Sequence, residues 1–343
     1  FPYGMAVTAS HNPAIYNGIK VFMEGGRDAD EVFTSELEGY IRMAESRERP
    51  IVELPEALAQ GLVEYIDPMN EYIDNIMEAV DMKAIREAGL HIALDPMYGV
   101  SQTALQTILL TARCGVEVIH ERRDALFGGR LPAPSEKTLA GLINFVIEHH
   151  CDLGIATDGD ADRLGVIDDT GEFLHPNKIL VLLYYYLLKY KGWKGSAVRN
   201  IATTHLLDRI AASFGEQCYE VPVGFKYVSG KMLETGAIIG GESSGGLTVR
   251  GHIQGKDGIY AGSLLVEMVA KTGRSLSQLW QEIEQQYGRC EMAERDYRFS
   301  QAKKAEIYTQ LLEDKLLPTF AHEVDRVSYQ DGCKVYFANG GWI

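Results

Sequence analysis

The sequence "CDLGIATDGDADRLGVIDDTGEFL", residues 151–174, decides which fold class the chain can adopt. Its first seven residues are mostly apolar and predict a buried β-strand, whereas residues 163–174 predict a β-hairpin that turns at an Asp-Thr-Gly. In open α/β sheets, ligands collect at loops beyond the carboxyl ends of strands, so the loop between strand and hairpin is a candidate site. It holds three aspartates at alternate positions and an arginine: Asp158, Asp160, Asp162 and Arg163.

Strand-like and helical segments alternate along the rest of the chain, which indicates an α/β protein. Residues 101–112 predict a helix with Ser101 as its N-cap, and residues 135–150 predict another with Ser135 as its N-cap. From Arg289 the pattern changes to strand, helix, strand, strand, which predicts a further small domain.

Composition limits the class of protein. The 343 residues are 46% hydrophobic and carry a formal charge of −15, so we expect a globular protein of several domains and no general binding of nucleic acid. The longest apolar run, residues 179–190, is shorter than the roughly 20 residues that span a bilayer and predicts a buried helix and no membrane segment. The five cysteines form no C-x-x-C pair, which is typical of a reducing compartment and predicts a cytoplasmic protein without a zinc site.

The three aspartates repel one another unless a cation lies between them. Oxygen ligands suit Mg²⁺ or Ca²⁺. An EF-hand is disfavoured because its Gly and Glu positions hold Arg163 and Asp169, and because a strand precedes the loop. A solvated acidic turn is the alternative, in which Arg163 only balances charge.

A second candidate loop begins the chain, in "TASHNP", residues 8–13. Pro13 fixes its own φ and keeps Asn12 out of the helical region, so the loop predicts a held turn that presents Ser10. Ser10 is then either an ordinary turn residue or a nucleophile. His11, taken alone, is most simply a structural hydrogen-bonding residue.

Two further loops carry polar groups. The loop "GGESSGG", residues 240–246, combines a carboxylate and hydroxyls with glycines, which suits sugar hydroxyls but also describes an ordinary glycine-rich turn. Lys226 in "PVGFKYV" and Lys256 in "KDG" are either surface charges or ligands of an anion.

Together these loops resemble the α-D-phosphohexomutase family, the phosphoglucomutases and phosphomannomutases. The matching motifs are "TASHNPAIYNGIK" (8–20), "DGDADR" (158–163), "GGESSGG" (240–246) and "KDG" (256–258), in the family's order and spacing over essentially the whole chain. The resemblance implies tandem three-layer α/β/α domains with mixed sheets around a central cleft. The expected domains are 1–67, the remainder of a first domain with the phosphoserine loop; 68–172 with the metal loop; 173–290 with the sugar loop; and 291–343, the start of a fourth domain whose phosphate-binding loop is missing.

The resemblance also implies roles for individual residues. Ser10 is expected to carry the phosphoryl group and, with the three aspartates, to hold Mg²⁺. His11, Lys20 and Arg163 are expected at the transfer site, with Lys20 as a general acid–base. A lysine can act as a base only if its pKa is lowered. The sugar and its phosphate are expected to contact Glu242, Ser244, Lys226 and Lys256.

The expected activity is interconversion of hexose 1-phosphate and hexose 6-phosphate through a bisphosphorylated sugar, with hexose 1,6-bisphosphate as activator and a small sugar phosphate as the partner. Glucose is the expected hexose, although Ser243 stands where relatives often have Glu or Met, and phosphomannomutase and phosphoglucosamine mutase are the alternatives. A phosphatase of sugar phosphates and an inactive binding paralogue are alternatives of another class. Because the chain opens and closes inside strand-like stretches, we expect residues to be missing at both ends.

Overall fold

Three α/β regions and a terminal β-ribbon follow one another in a computed structural model that describes residues 2–44, 51–295 and 297–343. The first region contains the antiparallel strands β1 (Tyr3–Thr8) and β2 (Gly18–Met23) and the helices α1 (Glu31–Ala44) and α2 (Leu54–Ala59). The register pairs Ala6 with Lys20 and Thr8 with Gly18, so the candidate loop 9–17 is a long hairpin loop with Lys20 beside its base. The proposed limits 1–67 and 291–343 include Phe1, residues 45–50 and Asp296, which lie outside the described residues.

The second region is a mixed five-stranded sheet flanked by helices. The strand order is β4–β3–β5–β6–β7, in which β4, β3 and β5 are parallel and β6 and β7 are antiparallel to their neighbours. The aspartate loop connects β5 to β6, and β6 and β7 form the predicted hairpin. The elements are α3 (Met69–Ala79), α4 (Met82–Ala88), β3 (His91–Asp95), α5 (Gln102–Thr111), β4 (Gly115–Val118), α6 (Ala140–His149), β5 (Leu153–Thr157), β6 (Leu164–Ile167) and β7 (Phe173–Leu174).

Two predicted helix caps in this region are wrong. The α6 helix begins at Ala140, because Ser135 bonds with Thr138 in a separate turn that precedes the helix. Ser101 precedes α5 but makes no side-chain cap; its hydroxyl accepts a hydrogen bond from Thr157 Oγ1 at 2.7 Å. This buried bond fixes the start of α5 to the end of β5, next to the aspartate loop.

The third region is a four-stranded mixed sheet of order β11–β10–β8–β9, in which β11 is antiparallel to β10. The predicted buried helix 179–190 corresponds to α7, which is buried from Ile179 to Leu188 and has Tyr190 as its C-cap. The elements are α7 (Pro176–Lys189), β8 (Ala197–Asn200), α8 (Leu206–Ser213), β9 (Cys218–Val221), α9 (Phe225–Thr235), β10 (Ile239–Gly241), β11 (Leu247–Val249), α10 (Gly258–Thr272) and α11 (Leu276–Tyr287).

The second and third regions share one hydrophobic core. The α10 helix packs against α4 and α5 of the second region as well as α7 of its own. Leu105, Ile155, Leu182 and Leu264 belong to the same cluster and are almost fully buried. Each such side chain stabilises the fold by about 1.5–3 kcal/mol, so the two regions behave as a joint scaffold for the loops between them.

The terminal part contains α12 (Gln301–Tyr308), a π-helical turn Thr309–Glu313 that continues it, and the antiparallel strands β12 (Val324–Ser328) and β13 (Lys334–Phe337). The strand predicted after Arg289 is not formed: the described residues between α11 and α12 are in irregular structure and largely exposed. Throughout the described ranges, the helices are too short or too polar to cross a membrane.

Candidate active site

The first loop holds Ser10 in an uncommon backbone conformation. Its φ is 51°, in the left-handed region that non-glycine residues seldom adopt, and such strain persists only where the surroundings enforce it. The turn is closed by a hydrogen bond from Asn12 N to Ala9 O at 2.9 Å. Thr8 Oγ1 accepts from Ser10 N at 2.8 Å and lies 3.1 Å from Asp160 Oδ2. These contacts fix the serine against the aspartate loop.

The Ser10 hydroxyl meets that loop directly. Its Oγ lies 3.2 Å from Asp158 Oδ2, 3.0 Å from Asp160 Oδ1 and 3.3 Å from His11 Nδ1. Burial lowers the pKa of His11, and the charge of Arg163 lowers it further, so the imidazole is favoured in its neutral form.

The three aspartates form a compact oxygen cluster. One carboxylate oxygen from each lies within 4.8 Å of the others. Burial, followed by the charges of Asp162 and Asp160, raises the pKa of Asp158 to about 8, even though its Oδ1 accepts a hydrogen bond from Arg163 N at 2.9 Å. At neutral pH a proton therefore relieves part of the repulsion among the carboxylates.

The cluster fits a divalent cation. Asp162 Oδ1 and Arg163 Nε are buried, lie 3.9 Å apart, and have no hydrogen-bond partner among the described residues. A buried carboxylate oxygen without a donor is costly unless a cation contacts it. Three carboxylates beside a serine hydroxyl are the oxygen donors that Mg²⁺ prefers.

Two lysines compete for one oxygen of this cluster. Lys20 Nζ and Lys256 Nζ each lie 2.8 Å from Asp162 Oδ2, and Lys20 also lies 2.9 Å from Asp160. Although burial opposes ionisation, these lysines hold the pKa of Asp162 at about 2. Burial would lower the pKa of Lys20, but Asp162 and Asp160 outweigh it and raise that pKa, opposite to the direction that a resting general base requires.

A cavity of about 560 Å³ opens at this cluster. Five of the candidate residues line it: Ser10, Lys20, Asp160, Asp162 and Lys256. Lys256 was predicted at the substrate side of the site, and the structure places its ammonium beside Asp162, one of the predicted metal ligands. The cavity therefore brings Ser10, two lysine side chains and two of the predicted metal ligands to one surface.

The loop 240–246, which is the expected sugar loop, adjoins the aspartate loop through its backbone. Leu164 N donates to Gly245 O at 3.2 Å. Within the sugar loop Glu242 is buried, and its Oε1 accepts hydrogen bonds from Gly224 N at 2.9 Å and Asn200 Nδ2 at 3.3 Å. Ser244 is exposed.

Lys226 pairs with a carboxylate of the first region. Its Nζ lies 2.8 Å from Glu31 Oε1, at the first turn of α1, and it lies outside the lining of the 560 Å³ cavity. The ring of Phe225, the residue before Lys226, lies 5.9 Å from Lys256 Nζ. Lys226 is therefore next in sequence to a residue that contacts the aspartate cluster's lysine.

One group of site residues was not predicted from the sequence. Asp257 is buried and accepts from Tyr72 Oη at 2.9 Å and from Ile259 N at 2.9 Å, while His252 Nε2 lies 2.7 Å away. Asp257, the residue after Lys256, thereby links the start of α10 to α3 of the second region. An Asp before the apolar start of a helix is an N-cap signal, and that signal in "KDG" could have identified it.

Comparison with known proteins identifies the domains. Models of the phosphoglucomutase/phosphomannomutase α/β/α domains I, II and III match residues 1–48, 70–171 and 175–287, respectively. A phosphoglucomutase/phosphomannomutase of Thermococcus kodakarensis is 31% identical over 342 residues, covering 99% of this chain and 71% of the relative. A Thermococcus gammatolerans protein named "Probable phosphoglucosamine mutase" is 32% identical over 281 residues, covering 82% of this chain and 60% of the relative.

Solved structures agree with the fold. A phosphoglucomutase/phosphomannomutase family protein from Burkholderia thailandensis superposes with a TM-score of 0.79 at 22% identity, covering 98% of this chain and 67% of that one. The Aspergillus fumigatus N-acetylphosphoglucosamine mutase, solved with GlcNAc-6P and magnesium, has a TM-score of 0.56 at 15% identity, covering 82% of this chain and 72% of that one. The expected tandem α/β/α domains with mixed sheets are confirmed, and the chain belongs to the phosphoglucomutase/phosphomannomutase family.

Proposed function

We propose that this protein interconverts hexose 1-phosphate and hexose 6-phosphate by way of a phosphoryl group carried on Ser10. The observation that supports this most directly is the contact of Ser10 Oγ with Asp158 and Asp160, at 3.2 and 3.0 Å, across 148 and 150 positions of sequence. An ordinary turn serine has no need of a buried carboxylate cluster.

Each half-reaction exchanges one phosphate ester for another. A sugar hydroxyl attacks the phosphorus, the bond between phosphorus and Ser10 Oγ breaks, and the hydroxyl proton passes to a base. The bisphosphorylated sugar then turns, and its other phosphoryl group returns to Ser10. A divalent cation held by Asp158, Asp160 and Asp162 would neutralise the negative charge of the phosphoryl group and polarise that group.

The surrounding side chains supply charge and protons. Arg163 neighbours the cluster and can stabilise charge on the equatorial oxygens. Lys20 is protonated while it contacts Asp160 and Asp162, so in this state it supplies positive charge, and its raised pKa makes it a weaker proton donor than an ordinary lysine. It becomes a base only when those contacts are weakened. His11, 3.3 Å from Ser10 Oγ and favoured as neutral, is a second proton acceptor.

Glucose is the proposed hexose, with Glu242 and Ser244 as the groups that contact its hydroxyls. Glucosamine phosphate is the second candidate, because the buried Glu242 carboxylate suits an ammonium as well as a hydroxyl and because a relative carries a phosphoglucosamine mutase name. Mannose phosphate is the third. A cytoplasmic location is part of the same proposal, on the grounds of the cysteine pattern.

The decisive assay uses the purified protein with Mg²⁺ and a trace of hexose 1,6-bisphosphate. Glucose, mannose and glucosamine 1-phosphates are supplied separately, and the 6-phosphates and inorganic phosphate are measured in the same samples. A mutase forms the 6-phosphate and depends on the bisphosphate. Release of inorganic phosphate without isomerisation would identify a phosphatase, and neither product would leave a binding protein.

A further inference from the structure

The first and third regions meet at an ion pair that uses a candidate substrate residue. Glu31 Oε1, on α1, accepts hydrogen bonds from Lys226 Nζ at 2.8 Å and from Tyr227 Oη at 2.6 Å. Lys226 and Tyr227 draw the pKa of Glu31 below its ordinary value, so the carboxylate is ionised at neutral pH. A negative group of this chain therefore occupies a cationic donor pair.

The pair is easily exchanged. The side chain of Glu31 is 67% exposed, and that of Lys226 is 27% exposed. Solvent-exposed ion pairs of this kind contribute little to stability, because water and salt screen them. The two regions also meet through a backbone hydrogen bond from Gln254 N to Gly25 O at 3.0 Å, which involves neither Glu31 nor Lys226.

The donor pair lies close to the active site. Gly224 N, two residues before Lys226, donates to Glu242, and the ring of Phe225 lies 5.9 Å from Lys256 Nζ. Residues 224–227 thus contact the sugar loop through Gly224, Lys256 through Phe225, and Glu31 through Lys226 and Tyr227. A phosphate group offers three acceptor oxygens and about two negative charges, against two oxygens and one charge for Glu31.

We infer that Glu31 competes with the substrate's phosphate group for Lys226 and Tyr227. This inference rests on the proposed function. When a sugar phosphate binds, its phosphate replaces the Glu31 carboxylate, and α1 loses its side-chain contact with α9 while the Gly25–Gln254 contact persists. Glu31 is a positioning residue: it keeps Lys226 and Tyr227 arranged before substrate binds, and its release couples substrate binding to movement of the first region.

The test compares binding of glucose 6-phosphate and of inorganic phosphate, by titration calorimetry, in the wild-type protein and in Glu31→Gln. The variant removes the competing charge and keeps the side-chain shape. Both ligands should bind about twofold to fivefold more tightly, the equivalent of one exposed ion pair. In a Lys226→Met background the same Glu31→Gln change should have no effect. Hydrogen exchange in the first turn of α1 should also rise when glucose 6-phosphate saturates the wild-type protein.

Glu36→Gln is the matched control, since Glu36 is exposed on the same helix and lies outside the described ion pairs. It should leave both affinities unchanged. The inference is overturned if Glu31→Gln binds phosphate no more tightly than the wild type, if neither binds it, or if the tightening persists with Lys226→Met. Isomerisation is scored separately, so a failure of the mutase proposal and a failure of this competition give different results.

Discussion

Ser10 Oγ lies 3.0 Å from Asp160 Oδ1, although 150 positions separate the two residues. The contact joins the loop of one β-hairpin, β1–β2, to the loop of another, β5–β6. Both loops place a non-glycine residue at positive φ, Ser10 at 51° and Ala161 at 62°. Backbone strain of this kind lowers stability and is found mostly at functional sites, so two such turns in contact support a functional role for the loops.

Ser10→Ala should abolish isomerisation and phosphorylation of the protein, with a loss on the order of 10³-fold or more, because the phosphoryl carrier is removed. Both are measured with radiolabelled hexose 1,6-bisphosphate. Ser35→Ala, on the exposed face of α1, is the control and should retain full activity. A Ser10→Ala variant with a near-normal isomerisation rate would refute the carrier role.

Mg²⁺ binding should release protons, because the pKa of Asp158 is raised to about 8 by burial and by its neighbouring aspartates. The metal-free protein holds that proton at pH 6–7, and a cation must displace it. Calorimetry in buffers of different ionisation enthalpy should show release approaching one proton at pH 6.5 and little above pH 9. Binding without proton release at pH 6.5 would contradict this assignment.

The same shift makes a prediction about stability. A carboxyl whose folded pKa lies above its unfolded value contributes stability below about pH 4, and that contribution is lost as the pH rises through about 8. The metal-free protein should therefore melt at progressively lower temperature between pH 5 and pH 8, and Mg²⁺ should stabilise it more at pH 8 than at pH 6. Asp162 titrates near pH 2 and contributes no slope in this window.

Gly258→Ala should weaken Mg²⁺ binding. A Cβ at Gly258 would lie 2.7 Å from Arg163 O and 3.0 Å from Ala161 O, so the aspartate loop must move to make room. We expect a loss of affinity of about tenfold, as for changes in the groups that orient metal ligands. Titration with Mn²⁺, followed by electron paramagnetic resonance, measures it directly.

Gly230→Ala is the control for that substitution. Gly230 lies inside α9 with nothing within 4 Å of its Cβ position, so alanine should raise helix stability by about 0.5–1 kcal/mol and leave metal affinity unchanged. If both variants bind Mn²⁺ as the wild type does, the packing of α10 on the aspartate loop has no influence on the metal site.

The parts of the fold and of the candidate site that could be predicted from the sequence are those set by interactions between residues close together in the chain. The aspartate loop, the Ser10 turn and the buried α7 helix follow from local patterns, and the structure contains them all. The α4 helix was missed although Asp81 caps it and Gly89 ends it at a φ of 62°, because a seven-residue helix has little periodicity.

Long-range pairings had no such signal. Nothing in the local sequence indicates that Lys256 contacts Asp162 or that Lys226 contacts Glu31, since both partners are set by how the regions pack. The direction of the Lys20 pKa shift was equally inaccessible, because it depends on two carboxylates about 140 positions away. Sequence motifs identified the groups at the site, and tertiary structure determined their protonation.

Glu220→Gln should loosen the β12–β13 ribbon from the third region. Glu220 on β9 accepts from Lys334 Nζ at 2.7 Å and from Tyr336 Oη, and the Lys334 side chain is only 4% exposed. Removing one partner of a buried ion pair leaves the other charge uncompensated, which costs about 3–5 kcal/mol. Hydrogen exchange in residues 324–328 and 334–337 should rise while exchange in α7 stays slow.

The contact between the ribbon and the third region should also depend on pH. Although burial opposes it, hydrogen bonds from His205, Lys334 and Tyr336 lower the pKa of Glu220, so the stabilisation it gives is present above about pH 4.5 and is lost only at more acidic pH. Slow exchange of the ribbon should therefore persist from pH 5 to pH 7. Glu306→Gln, which breaks the exposed pair with Lys303, should change stability by less than about 0.5 kcal/mol. Equal exchange in both variants would show that the ribbon is held by its apolar contacts and not by Glu220.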